Sequence, residues 1–185
     1  MALEPVGTWK STLAALPPVA DSSWASAFAS WYSARIAFIS PDPSVFAAVG
    51  FVFTFNAATF QAQLLTLGPT DDPAAGASGF ANAWEAAILA STALVAPGSA
   101  LVPPSPPTTF SVVATTVIDP TSVAAGKAKL LELAAAPPVS DANNSQFPVK
   151  FREATALLSI TVTGTDSTPT PAGPLPLTAP FVPLN

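Results

Sequence analysis

The chain has 185 residues, of which 6 are Lys or Arg and 11 are Asp or Glu, so charged residues make up 9%. A soluble domain usually carries about 25%, and this chain has a net charge of −5 without clustered Lys or Arg, which excludes a nucleic-acid groove. Because His and Cys are both absent, imidazole catalysis, thiolate chemistry and the usual zinc ligands are excluded as well.

The first half of the chain reads as two pairs of helices around one strand. Trp9 opens a helix pattern that ends at Pro17-Pro18, and a second pattern follows Asp21. Residues 49–55 alternate Phe with Val and Thr, which predicts a strand with one aromatic face. Asn56 is a candidate N-cap for the next helix, and Asp72-Pro73 is typical of the start of a further helix, running towards Val95.

The second half repeats the same kinds of signal. Residues 110–118 are rich in Val and Thr and predict a strand, after which Asp119-Pro120 opens a helix over 121–136. Pro137-Pro138 ends that helix, and Pro148 indicates that the following helix begins near that residue. Residues 158–163 predict a final strand.

Three stretches, at 9–36, 60–95 and 127–162, share an order of helix, proline break, aspartate and helix, and each leads into one of the predicted strands. The first and third match at one constant offset: Leu13, Pro17, Pro18, Val19 and Asp21 recur as Leu133, Pro137, Pro138, Val139 and Asp141. We therefore predict one domain over 1–164 with three internal repeats, at 9–55, 56–118 and 119–163. The expected fold class is α+β, with short helices packed on a small three-stranded sheet.

Two groups of side chains are candidates for a binding site. Asp21, Asp71, Asp72 and Asp141 fall in corresponding loops, but none has the ligand spacing of a calcium loop, so helix capping is the favoured interpretation and we expect no metal. Large aromatic residues recur at helical spacing and are expected in the core, with an interface or a ligand platform as alternatives. These residues are Trp24, Phe28, Trp31, Phe80, Trp84 and Phe151.

No spacing in the chain joins residues into a known catalytic arrangement. Lys127 and Lys129 lie near Ser122 in the sequence, without a recognised nucleophile motif. We expect no enzyme activity, no cofactor and no small-molecule substrate.

The mean hydropathy of +0.48 raises the question of a membrane. The longest apolar runs, 45–55 and 86–96, are shorter than the ~20 residues that cross a bilayer. The start MALEPVGTWK lacks the basic and apolar regions of a secretory signal, so we expect neither a span nor a signal. A folded chain of 18.7 kDa exposes roughly 8,000 Å², which leaves on the order of 500 Å² for each charged side chain. Such a surface is poorly protected against association.

Residues 165–185 form an extended Pro-rich arm that is unusually apolar for a tail. Three placements are open: the arm packs back on its own domain, it docks on a neighbouring subunit, or it stays a free tail. We take its large apolar residues as candidate assembly contacts, namely Leu175, Leu177, Phe181, Val182 and Leu184.

The stretches WKSTLAALPPVAD and TFSVVATTVIDPTSVAA, within a chain rich in Ala, Pro and Thr, resemble small structural proteins of tailed bacteriophages of high-GC hosts and of related contractile particles. The resemblance implies a non-enzymatic virion subunit of the capsid, cement, neck, tail or baseplate, assembled in the host cytoplasm. Its partners would be copies of itself and other structural proteins of the particle. Two other classes stay open: a membrane-associated or pore-forming protein, and an extracellular surface-binding module.

Overall fold

Helices make up most of the folded part of this chain. The structure, a computed structural model, describes residues 6–17, 21–33, 51–68, 72–95, 98–99, 109–110, 115–135, 141–164 and 175–180. Within these ranges there are six α-helices, with a short 3-10 turn, Glu132–Ala135, after the fifth. The helices are α1 (Val6–Ala14), α2 (Ser22–Ser33), α3 (Ala57–Leu67), α4 (Pro73–Leu89), α5 (Pro120–Leu131) and α6 (Asp141–Ala156).

The helices pack on one another in the manner of a bundle, so the expected α+β class is wrong. α4 lies between α3 and α5, α5 packs on α6, and α1 also contacts α6. An apolar helix face has to be buried against another element, and in this chain that element is another helix. The helices are therefore not laid on a sheet as the sequence had indicated.

The strands are short and form separate antiparallel ladders. The first pairs β1 (Phe51–Thr54) with β2 (Thr92–Val95), and the second pairs β3 (Gly98–Ser99) with β4 (Thr109–Phe110). The third runs in the order β5, β6, β7, with β5 at Thr115–Ile118, β6 at Ser159–Gly164 and β7 at Leu175–Pro180. The three predicted strands thus do not share one sheet. β2 lies within a stretch predicted to be helical, because its few residues follow an apolar helix without a proline or glycine between them.

Two helices begin earlier than their sequence signals indicate. α1 starts at Val6 rather than at Trp9. α6 starts at Asp141 and contains Pro148, which the sequence analysis had placed near its beginning. A proline inside a helix removes one backbone hydrogen bond. Here Phe147 and Phe151, on either side of it, stack with ring centres 6.3 Å apart and pack into the core, and this packing favours a continuous helix.

Aromatic side chains from five helices meet in the core, which confirms the expected role of that set. Phe28 is fully buried, and its ring centre lies 5.1 Å from Trp9, 4.9 Å from Phe60 and 4.9 Å from Phe151. Trp24 lies at the edge of this cluster, half-buried, and donates from Nε1 to the carbonyl of Pro17 at 2.9 Å. The rings face one another rather than solvent, so they do not form a ligand platform.

The helix pairs α1–α2, α3–α4 and α5–α6 follow one another in the order expected of three repeats. The repeat boundaries, and the division of the chain at residue 164, stay a prediction.

A glycine lets α5 approach α4 and α6 closely. A Cβ atom on Gly126 would lie 2.5 Å from Cη2 of Trp84 and 2.8 Å from the carbonyl oxygen of Ala154. Trp84 is fully buried, so neither neighbour has room to move. A Cβ on Gly79 would instead meet the end of the Leu67 side chain, which is partly exposed and free to turn away.

Gly126→Ala should therefore lower the free energy of unfolding by about 1–3 kcal/mol, the usual effect of overpacking a core. Gly79→Ala is the matched control, since alanine is favoured over glycine inside a helix by about 0.5–1 kcal/mol. Its stability should be unchanged or slightly raised. Urea denaturation followed by circular dichroism measures both variants, and equal stability of Gly126→Ala and the wild type would contradict this account of the helix contact.

Candidate functional site

Asp72, one of the aspartates considered for a cation site, acts as a helix cap, and so does Asp119. Asp72 Oδ1 accepts from the backbone N–H of Ala74, and Asp119 Oδ1 accepts from that of Thr121, both at 2.9 Å. Asn56 caps α3 in the same way, so these three expected caps are confirmed. Each cap satisfies a backbone N–H that the first helical turn would otherwise leave without a partner.

Asp21 directly precedes α2 and caps it in the same way, as expected. Asp21 accepts from the backbone N–H and the hydroxyl of Ser23, and these two hydrogen bonds hold the pKa of Asp21 below its ordinary value. Asp141 is the first residue of α6, and Asp71 lies outside the described residues. Across the described residues, no group of three or more His, Cys, Asp or Glu side chains could hold a metal ion.

The polar centre of the molecule is a buried chain of hydrogen bonds that joins α2, α4 and α6. Trp84 Nε1 donates to Tyr32 Oη at 2.8 Å, and Tyr32 Oη lies 3.0 Å from Thr155 Oγ1. Thr155 Oγ1 donates to the carbonyl of Phe151 at 2.9 Å. Because the threonine proton is committed to that carbonyl, the Tyr32 hydroxyl donates to Thr155. Burial raises the pKa of Tyr32 well above its ordinary value, so this group stays protonated and serves structure rather than proton transfer.

The ion pairs of the described residues lie on α4, α5, the 3-10 turn and α6. Lys127 of α5 lies 2.7 Å from Glu85 of α4. Glu132 lies 2.7 Å from Lys129 and 2.6 Å from Lys150, which also contacts Glu153 at 3.0 Å. Hydrogen bonds from Lys129 and Lys150 lower the pKa of Glu132 to about 2. The same contacts with Glu132 and Glu153 raise the pKa of Lys150.

The groups that were weighed as a catalytic arrangement are engaged separately. Ser122 Oγ donates to the carbonyl of Asp119 at 2.7 Å and accepts from the N–H of Ser159 at 3.0 Å. Both lysines of α5 are committed to carboxylates. The structure does not bring these lysines to Ser122.

α3 and the first turns of α4 carry an exposed surface without charged side chains. It consists of the solvent side of α3 and the first three turns of α4, and we call it the uncharged face. Leu65 is 58% exposed on it, the largest value among the exposed large apolar side chains. The exposed residues of this face are Ala58, Ala62, Gln63, Leu65, Thr66, Leu67, Ala74, Ala75, Ser78 and Asn82.

The structure pairs part of the predicted arm with the chain's own β6. Leu175 and Leu177 belong to β7, where their backbone lies opposite Gly164 and Val162. Phe181, Val182 and Leu184 lie outside the described residues. All five stay predicted assembly contacts. The sequence analysis did not identify β6 as a partner of the arm, although the spacing of Pro176 and Pro180 is a signal for an edge strand, since prolines are confined to positions that face away from the neighbouring strand.

No known protein family, curated protein or solved structure matches this chain. Among the helices in the described ranges, none has both the length and the apolar character needed to cross a membrane. The function proposed below therefore rests on the uncharged face and the arm.

Tyr32 is the only tyrosine of the chain, so tyrosinate absorbance reports on this one group. Its raised pKa means that the stability it contributes is present below pH ~10 and is lost as the pH rises further, by about 1.4 kcal/mol per pH unit. The folded protein should show no tyrosinate until it unfolds, whereas protein unfolded in urea should titrate near pH 10. Tyrosinate that forms near pH 10 while the helical signal persists would contradict this prediction.

The matched variant for the same experiment is Tyr32→Phe. It leaves Trp84 Nε1 buried without its acceptor, which should lower the free energy of unfolding at neutral pH by about 1–3 kcal/mol. The variant should also lose the extra destabilisation above pH ~10.

Glu132 predicts a second pH dependence, in acid. Its folded pKa is about 2 against an ordinary value of 4.5, so its contribution is present above pH 4.5 and is lost as the pH falls towards 2. Thermal melts across this range should show a steeper loss for the wild type than for Glu132→Gln. The difference should shrink in ~1 M salt because the group is exposed and screened. Parallel curves for the two proteins at low salt would refute the role of Glu132.

Proposed function

We propose that this chain is a non-enzymatic structural subunit of a large assembly, and specifically a component of a tailed-bacteriophage virion. The observation that carries the proposal is the uncharged face. The wider proposal needs only that this face is covered by protein, whereas the virion assignment adds the resemblance of two sequence stretches to phage structural proteins.

The way charge is distributed supports coverage by other protein chains. Ion pairs join α4 to α5 and the 3-10 turn to α6, whereas α2 and α3 contain no charged residue at all. Protein interfaces are depleted of charged residues at their centres. The small side chains Ala58, Ala62 and Ala74 allow a neighbouring chain to approach closely, and Leu65 supplies an apolar contact between them.

A surface of this kind favours other proteins as partners. We propose that copies of this chain and other structural proteins of the particle bind the uncharged face and the arm. The absence of charge on this face favours neither a nucleic acid nor a small-molecule substrate as a partner. Location within the virion follows from the assignment and is proposed together with it.

Sedimentation velocity on the purified chain tests the proposal, with Leu65→Lys as the informative variant. The wild type should associate as its concentration rises to about 1 mM. Leu65→Lys should weaken association about tenfold or more, because burying a leucine contributes about 1.5–3 kcal/mol. Leu131→Lys is the control: it changes an exposed leucine in the last turn of α5, next in the chain to the ion-paired Glu132.

The outcomes are distinct. A wild type that stays monomeric at 1 mM, or two variants that weaken association equally, would overturn the proposal for the uncharged face. Flotation of the wild type with liposomes would instead support a membrane-associated protein. Mass spectrometry of purified particles then tests the virion assignment on its own.

A further inference from the structure

β7 depends almost entirely on β6 for its place in the fold. It runs antiparallel to β6 over six paired positions, from Ser159 opposite Pro180 to Gly164 opposite Leu175. In the described part of the chain, β6 is the only element against which β7 packs extensively. The contact is therefore a strand-to-strand one that any identical β6 edge would offer.

The hydrogen bonds of β6 fix which side of β7 faces it. Asp119 N donates to the carbonyl of Ser159 at 3.0 Å, so Ser159 directs its backbone groups towards the β5 side. In an antiparallel ladder this direction alternates along the strand. Ile160, Val162 and Gly164 therefore direct their backbone groups towards β7.

The partners of those three residues on β7 are Ala179, Leu177 and Leu175. Pro176, Thr178 and Pro180 then face away from β6. Both prolines, which lack an N–H, thus fall on the outer edge, where no donor is needed. The sequence and the hydrogen bonds agree on this orientation independently.

The chain between the two strands is long for a hairpin. Residues 165–174 join β6 to β7, whereas hairpin loops usually contain about 2–5 residues. A connection of this length holds a segment near its own chain at an effective concentration of about the millimolar range. At a comparable local concentration of subunits, a second copy competes for the same pairing.

We infer that in the assembled protein β7 of one copy pairs with β6 of a second copy. The partner is thus another molecule of this chain, and the site is the β6 edge from Ser159 to Gly164. The inference rests on the proposed assembly role, because exchange requires subunits at high local concentration. It gives the predicted arm a specific acceptor.

The outer edge of an exchanged β7 ends the sheet. Of its three outward positions, only Thr178 has an N–H, so a further strand would lose two of its three donors. The outer edge of an exchanged β7 therefore does not accept a further strand, and the sheet ends there.

Cysteine cross-linking tests the exchange directly, since the chain contains no cysteine. Thr161 and Thr178 lie directly opposite each other in the register, at a separation suited to a disulfide. One protein carries Thr161→Cys and the other Thr178→Cys; the two are mixed, incubated or refolded together, and oxidised. Disulfide-linked heterodimer should increase at least tenfold between about 10 µM and 1 mM protein, as expected for competition with an effective concentration near millimolar.

An off-register mixture provides the control. Thr163→Cys and Thr178→Cys lie at diagonal positions of the two strands. Their Cα atoms are about 7–8 Å apart, which is too far for a disulfide. Adding Ala179→Pro to the first mixture removes an N–H that points at β6 and should abolish the heterodimer. The pair Val162→Cys and Leu177→Cys repeats the measurement at a second register position in case the first variants fold poorly.

Heterodimer no greater than in the off-register mixture, at both register positions and after refolding together, would overturn the exchange. A disulfide that forms only within one chain carrying both Thr161→Cys and Thr178→Cys would show that β7 stays on its own copy. Association that persists in the sedimentation experiment while exchange fails would refute the exchange alone.

Discussion

The hydrogen bonds from Trp84 through Tyr32 to Thr155 are the constraint on which the helical core depends. They join α2, α4 and α6 inside an aromatic cluster where a polar group without a partner would be costly. Each polar hydrogen in this series of hydrogen bonds has an acceptor, so the series fixes how the three helices lie against one another. Since the Trp84 ring is held in place, the helix that crosses it needs a glycine, and α5 provides Gly126 at the contact. The next residue, Lys127, then reaches Glu85 on α4.

The sequence revealed those features that depend on neighbours a few residues apart. The caps at Asp72 and Asp119 could be predicted because each residue precedes a proline that starts a helix. The core positions of Phe28 and Trp84 could be predicted because both residues follow helical spacing. The prediction of the fold class was wrong because the pairing of helices and strands depends on contacts between residues that are distant in the sequence. β1 pairs with β2, about forty residues away in the chain, and no local pattern in the Ala-rich stretch around Thr92 marks it as a strand.

The same limit applies to the candidate site. The apolar residues of the arm could be found from composition, but their acceptor could not, since the β6 edge is recognised only from its register with β5 and β7. The low overall charge was visible in the composition. Which charged residues form ion pairs, and which helix surfaces are exposed without charge, follows from packing. Lys150 and Glu132, for example, are eighteen positions apart and meet only because α6 packs against the 3-10 turn.

A charge-poor surface favours association but does not by itself limit it, because apolar contact is non-directional. A particle subunit needs contacts that stop at a defined number of copies. Backbone pairing supplies direction, since strand register fixes how two copies lie against each other. Pro176 and Pro180 add a limit by removing donors from the edge that a further strand would use. In the proposed assembly, the uncharged face would provide affinity, and the proline-edged strand would provide direction and an end to the sheet.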